Sequence, residues 1–146
     1  MRYLAIDLGD RRTGFAAGDD VVGLVQPLAV VEAPTRALQL KAALKAIDEH
    51  GPDRVVVGLP LNMDGSEGPR AKLVREFAAE LAAQMPRFPR VAIEFHDERL
   101  SSFAAEQKLN RTGRTHGEKK ALRDALAACA ILEDFLASQG DRKADE

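Results

Sequence analysis

Tryptophan is absent, tyrosine and cysteine each occur once, and six phenylalanines complete the aromatic content of a chain of 146 residues. So few rings exclude a base-stacking platform of the kind that binds single strands without sequence preference. One cysteine excludes an intrachain disulfide, and Cys129 lies in the apolar run 125–136 as a small core residue rather than a nucleophile or redox switch. The histidines His50, His96 and His116 lack zinc-ligand spacing, and no second cysteine could complete such a site. No stretch reaches the ~18 uninterrupted apolar residues of a membrane span, and Met1 to Asp7 show neither a long apolar core nor a small-residue cleavage site. A cytoplasmic protein with no membrane partner is expected. There is also no P-loop, no Ser-His-Asp order and no Rossmann fingerprint.

What is present describes one domain. With 45% hydrophobic and 30% charged residues, a chain of this length buries roughly two thirds of its unfolded surface and needs no disulfide or structural metal to hold a core. Residues 1–138 are expected to form it, with Gln139 to Glu146 a disordered polar tail. The net charge of −2 excludes a globally basic nucleic-acid coat. The charge is uneven, however: between Arg99 and Arg123 seven basic residues stand against only Glu106 and Glu118. A solvated helical face is the ordinary reading of such a run, and a local phosphate-binding patch is the functional one.

Along the chain, Arg2 to Asp7 reads as a short strand, and Thr13 to Gly18, Asp19-Asp20 and Val21 to Val25 read as a hairpin. Pro27 cannot donate to a central ladder, which assigns the Val21 to Val31 segment to a sheet edge with room for a bulge. Leu40, Leu44 and Ile47 predict a helix over Arg36 to Glu49, closed by His50-Gly51-Pro52 before the apolar strand Val55 to Val57. A second helix opens near Pro69 and runs to Gln84, where Pro86 and Pro89 stop it. Val91 to Phe95 alternates as a fifth strand, and Ser101 or Ser102 caps a helix to Asn110. After the loop Arg111 to Gly117, the capping-box spacing Thr115-x-x-Glu118 starts a last helix to Ser138. Strands bunched first and then alternating with helices argue for an α/β fold with a mixed five-stranded sheet flanked by helices.

Three carboxylates carry the chemical interest. Asp7 closes an apolar strand and opens Asp7-Leu8-Gly9-Asp10-Arg11-Arg12-Thr13-Gly14, where glycines permit a tight turn beside a charged ligand. Taken alone, this is first of all a chain leaving the core for water. Asp97-Glu98-Arg99 repeats the arrangement after the fifth strand, and since neighbours in an extended chain face opposite sides, Glu98 and Asp97 point apart. Asp124 heads a helical stripe shared with Ala128, Ile131 and Phe135. A carboxylate there is costly to desolvate unless something compensates it, although an Asp near a helix N-terminus is also favoured by the dipole. A hard divalent ion such as Mg²⁺ or Mn²⁺ would reconcile carboxylates that converge from distant segments without basic partners.

The blocks Asp7-Leu8-Gly9 with Arg11, Arg12 and Gly14, then Val57 to Gly65, then His96-Asp97-Glu98-Arg99-Leu100-Ser101, and finally Lys120-x-x-x-Asp124 together resemble the YqgF, or RuvX-like, family over nearly the whole chain. The resemblance implies a ribonuclease H-like fold and a nuclease of pre-16S ribosomal RNA, a family earlier described as Holliday-junction resolvases. It also implies that Asp7, Glu98 and Asp124 are the catalytic, metal-binding carboxylates. Arg11, Arg12, Arg99, Arg111, Arg114 and Lys120 are the candidates for gripping phosphates, a role without sequence specificity.

The leading expectation is an endonuclease dependent on Mg²⁺ or Mn²⁺ that cuts structured RNA at the 5′ end of pre-16S rRNA, in association with the ribosome. A four-way DNA junction resolvase would use the same chemistry. A non-catalytic ribosome-associated RNA-binding module has no need of intact carboxylates, and an actin-like nucleotide-binding protein needs a second lobe that 146 residues do not supply. No second apolar helix face advertises a dimer, so a monomer is favoured.

Overall fold

Alternation of apolar residues gives the central strands two buried faces. In the computed structural model, β1 (Arg2–Leu8) turns Leu4 and Ile6 to one side and Tyr3 and Ala5 to the other. The structure describes residues 1–86, 90–99 and the backbone of 116–145, with the side chains of that last segment described over 125–139. The expected helix from Ser101 or Ser102 to Asn110 and the loop 111–115 lie outside the described residues.

The sheet runs in the order β3-β2-β1-β4-β5. β2 (Arg12–Asp19) pairs antiparallel with β1 and with β3 (Val25–Glu32), while β4 (Arg54–Leu59) and β5 (Ala92–Asp97) continue parallel to β1. It is therefore the mixed five-stranded sheet that the sequence predicts. β3 starts at Val25 rather than Val21: Val21, Val22 and Leu24 form an exposed turn organised by Asp19, whose Oδ1 accepts from the Val21 and Val22 amides. The edge position and the irregularity expected of Pro27 are both present, since Phe15 faces Ala29 and the next residue, Ala16, faces Pro27.

Two helices cover one face. α1 (Arg36–His50) is capped by Thr35, whose hydroxyl accepts from the Leu38 amide at 3.3 Å, and ends at Gly51 in the left-handed conformation, φ 52°. α2 (Pro69–Gln84) begins with proline at its first position. Leu40, Ala43, Ile47, Ala71, Val74, Phe77 and Leu81 from these helices meet Leu4, Ile6, Val55 and Val57 from the sheet. α3 (His116–Asp145) covers the opposite face, where Ala128, Cys129, Ile131, Leu132 and Phe135 pack on Tyr3, Ala5, Ala16 and Val56. This helix passes the boundary expected at Ser138, because residues 139–145 contain no proline and are mostly compatible with a helix.

The direction of α3 matters for the site. Ile131 lies against Gly58, near the carboxyl end of β4, and Phe135 meets Tyr3 edge-on near the amino end of β1, with centroids 5.5 Å apart. His96 Nε2 hydrogen-bonds Asp134 Oδ2, which ties β5 to the same helix. The helix therefore runs antiparallel to β1, and its amino-terminal turns lie towards the carboxyl ends of the parallel strands.

Candidate functional site

Strand parity brings carboxyl groups together at one end of the sheet. Asp7 follows Tyr3 and Ala5 on the α3 side, next in register to Gly58, because the preceding pair is Ile6 with Val57. Gly58 in turn pairs with His96. Glu98 lies one step beyond β5, two residues after His96 and so on the same side; its amide donates to the Leu59 carbonyl at 3.3 Å. Its carboxyl group folds back over Gly58, towards Asp7.

The electrostatics follow from this crowding. Glu98 is pushed up to about 7, first by burial and then by the negative charge of Asp7, with Arg70 opposing and Asp97 adding to the shift. A carboxyl group so placed is short of positive charge. Asp97 has the opposite environment. The Arg99 side chain donates to both of its oxygens, at 2.6 to 3.0 Å, and holds its carboxyl below the usual range. Neighbouring carboxylates thus point to opposite sides, as the extended backbone requires.

Arg99 does more than neutralise Asp97. Its Nη1 donates to the Met63 carbonyl at 3.2 Å, which joins the end of β5 to the loop 60–68. That loop is internally closed: Asn62 accepts from Gly65 and donates to Ser66 through its backbone, and its side-chain amide donates to the Ser66 hydroxyl. Arg75 of α2 closes it from below by binding Glu67 and stacking over the Phe95 ring, 4.7 Å from the centroid. The segment behind Glu98 is therefore well anchored.

Asp7 also borders an open cleft of about 320 Å³ lined by Gly9, Asp10, Arg11, Arg12, Gly14 and Val30. Arg11 and Arg12, both exposed, are thus on the same cleft as Asp7. The guanidinium of Arg99 is instead engaged by Asp97 and Met63. Arg111 and Arg114 fall outside the described residues, as do the side chains of Lys120 and Asp124. The backbone places Asp124 in α3, two turns before Ile131 and on the side of the strand carboxyl ends, about 10 Å along the axis at the usual helical rise. Among the described residues, no three His, Cys, Asp or Glu side chains form a metal-binding group; Asp7 and Glu98 are a pair.

Two contributors stand outside the sequence-derived set. Gly58 leaves the space that Glu98 fills, and its signal was a glycine directly after three valines in a buried strand. Arg70 donates to both oxygens of Asp10, at 3.1 and 3.2 Å, and its charge reaches Glu98. A basic residue in the first turn of a helix opposes the dipole, which was the available clue.

A sequence model of the family described as "RuvX: Holliday junction resolvase" matches residues 1–138. The chain belongs to the RuvX family. It is 46% identical over 136 residues, 93% of this chain and 96% of the relative, to a protein of Anaeromyxobacter sp. (strain Fw109-5) named "Putative pre-16S rRNA nuclease". A protein of Chloroflexus aurantiacus with the same name is 39% identical over 133 residues, covering 91% of this chain and 84% of the relative. Among solved structures, the Fowlpox virus resolvase bound to Holliday junction DNA superposes with a TM-score of 0.59 at 10% identity, covering 95% of this chain and 99% of that one. RuvC of T. thermophilus with its junction substrate gives 0.55 at 16% identity, covering 97% and 96%. At such identities the likeness is one of fold, and that fold is ribonuclease H-like. Among the described residues, no helix is long and apolar enough to cross a membrane.

Proposed function

We propose that this RuvX protein is an endonuclease that hydrolyses phosphodiester bonds in precursor 16S rRNA with the help of a divalent cation. The observation that carries the reading is the pairing of Asp7 and Glu98 on one face of the sheet, where each raises the cost of charging the other. Relatives that span nearly the same length are named for pre-16S rRNA.

The donor set suits Mg²⁺ or Mn²⁺, because hard carboxylate oxygens dominate and no thiol or zinc-type histidine set accompanies them. Asp7 and Glu98 would hold the ion, with Asp124 as the third carboxylate. When bound, such an ion supplies the positive charge that acidifies water and stabilises the leaving oxygen. The chain's own residues do the rest. Asp7 and Glu98 orient the reacting centre at the end of the sheet, and the exposed Arg11 and Arg12 draw the substrate backbone into the cleft beside Asp7. Arg111, Arg114 and Lys120 extend that grip, while Arg99 holds the Glu98 segment in place.

A single strand needs one site, so the protein acts as a monomer, in the cytoplasm where ribosomal RNA matures. The test is cleavage of precursor rRNA and of a four-way junction by purified protein with Mn²⁺, together with sedimentation at micromolar concentration. A monomer that cuts the RNA once is expected. A stable dimer making paired, symmetric incisions in the junction, and inactive on the RNA, would replace this reading with junction resolution.

A further inference from the structure

We infer that Gly58 is a positioning residue for Glu98: β4 leaves a side-chain position empty so that a carboxylate delivered from beyond β5 can cross that strand towards Asp7. The inference rests on the reading of Asp7 and Glu98 as an ion-holding pair.

A Cβ placed on Gly58 would lie 2.5 Å from Glu98 Oε2 and 2.6 Å from Ile131 Cδ1. Neither distance is tolerable for carbon, so at least one neighbour must move. Ile131 is 1% exposed and packed into the α3 core, whereas Glu98 is only partly buried and ends in a rotatable carboxyl group. The carboxylate is the group that gives way.

Backbone geometry supplies no other reason for glycine at this position. Among the described residues, the glycines with positive φ are Gly23, Gly51 and Gly65, so Gly58 has none of the left-handed strain that favours the residue. Within a strand, glycine forfeits both backbone order and side-chain packing, and the preceding Val55, Val56 and Val57 are fully buried β-branched residues. By strand preference alone a fourth such residue would be favoured, but it would meet both Ile131 of the α3 core and Glu98. What it would remove is the space under Glu98.

The experiment is a double-mutant cycle of Gly58→Ala and Glu98→Gln, read by calorimetric titration with Mn²⁺ and by single-turnover cleavage of precursor rRNA. Gly58→Ala alone is expected to weaken Mn²⁺ binding ~10-fold or more, the scale on which groups that orient a metal ligand act, and to slow cleavage. In the Glu98→Gln background it should add nothing further. Should Gly58→Ala melt below the assay temperature, Gly58→Ala with Ile131→Val relieves the contact with the helix and carries the same cycle: recovered folding with Mn²⁺ binding still weak is the expected result. Wild-type Mn²⁺ affinity in a folded Gly58→Ala variant, or an equal loss in both backgrounds, overturns the inference while the reading of Asp7 and Glu98 as an ion-holding pair stands. Unchanged binding and cleavage in Glu98→Gln overturns both.

Discussion

Asp7 lies in β1 and Glu98 one residue beyond β5, the two strands that flank β4, and the charge of the first raises the pKa of the second across its end. A fold that wanted only stability would not keep two carboxyl groups so disposed, because each adds to the cost of ionising the other. A cation between them would relieve the arrangement, and the chemistry proposed for the protein follows from that relief.

Asp7→Asn, Glu98→Gln and Asp124→Asn are each expected to abolish cleavage, with a melting temperature equal to or above wild type in the absence of metal. Cleavage assays beside thermal melts check this. Turnover like wild type in any one variant removes that residue from the catalytic set.

The pKa of Glu98 carries a sign for stability. Its folded value, about 7, exceeds the ordinary 4.5, so between these values the folded state retains a proton that the unfolded chain has released, and stability falls as pH rises through the interval. Urea titrations without metal at pH 5 and pH 8 should show the higher pH less stable by an amount that Glu98→Gln largely removes. A profile left unchanged by that substitution would contradict the assignment.

Arg99 and the cleft arginines should separate in their salt dependence. Replacing Arg11 or Arg12 with Ala should weaken RNA binding and lower the magnitude of its salt slope by about one each. Arg99→Ala should leave the slope alone and instead speed amide exchange at Gly65 and Ser66, since its bond to Met63 holds their loop. A reduced slope in Arg99→Ala would make it a phosphate contact.

Phe77 is fully buried between α2 and the sheet. Phe77→Ala should cost about 3–5 kcal/mol of unfolding free energy, the usual range for emptying such a site. Denaturant unfolding measures it, and a loss below ~1 kcal/mol would mean that the core collapses around the gap.

Local rules made most of the framework legible. Apolar periodicity, Pro27, the Gly51 stop and Pro69 at a helix start act through backbone geometry within a few residues, so the first strand, the β2-β3 hairpin, the edge strand, both early helices and the alternation of Asp97 with Glu98 could be read from the chain. The turn at Val21 and Val22 looked like strand because hydrophobicity alone does not reveal that Asp19 captures both amides. The stop expected at Ser138 is passed, with the helix continuing to Asp145.

What only the tertiary structure decided was which charges meet. Asp97 and Glu98 are chemically alike and adjacent in sequence, yet one is satisfied by Arg99, which also ties down the Met63 carbonyl, and the other is left beside Asp7. Those outcomes depend on parallel pairing of β1, β4 and β5, and on the helix that covers them. Long-range register brings side chains within a few ångströms, and electrostatics at that distance cannot be read from spacing along the chain.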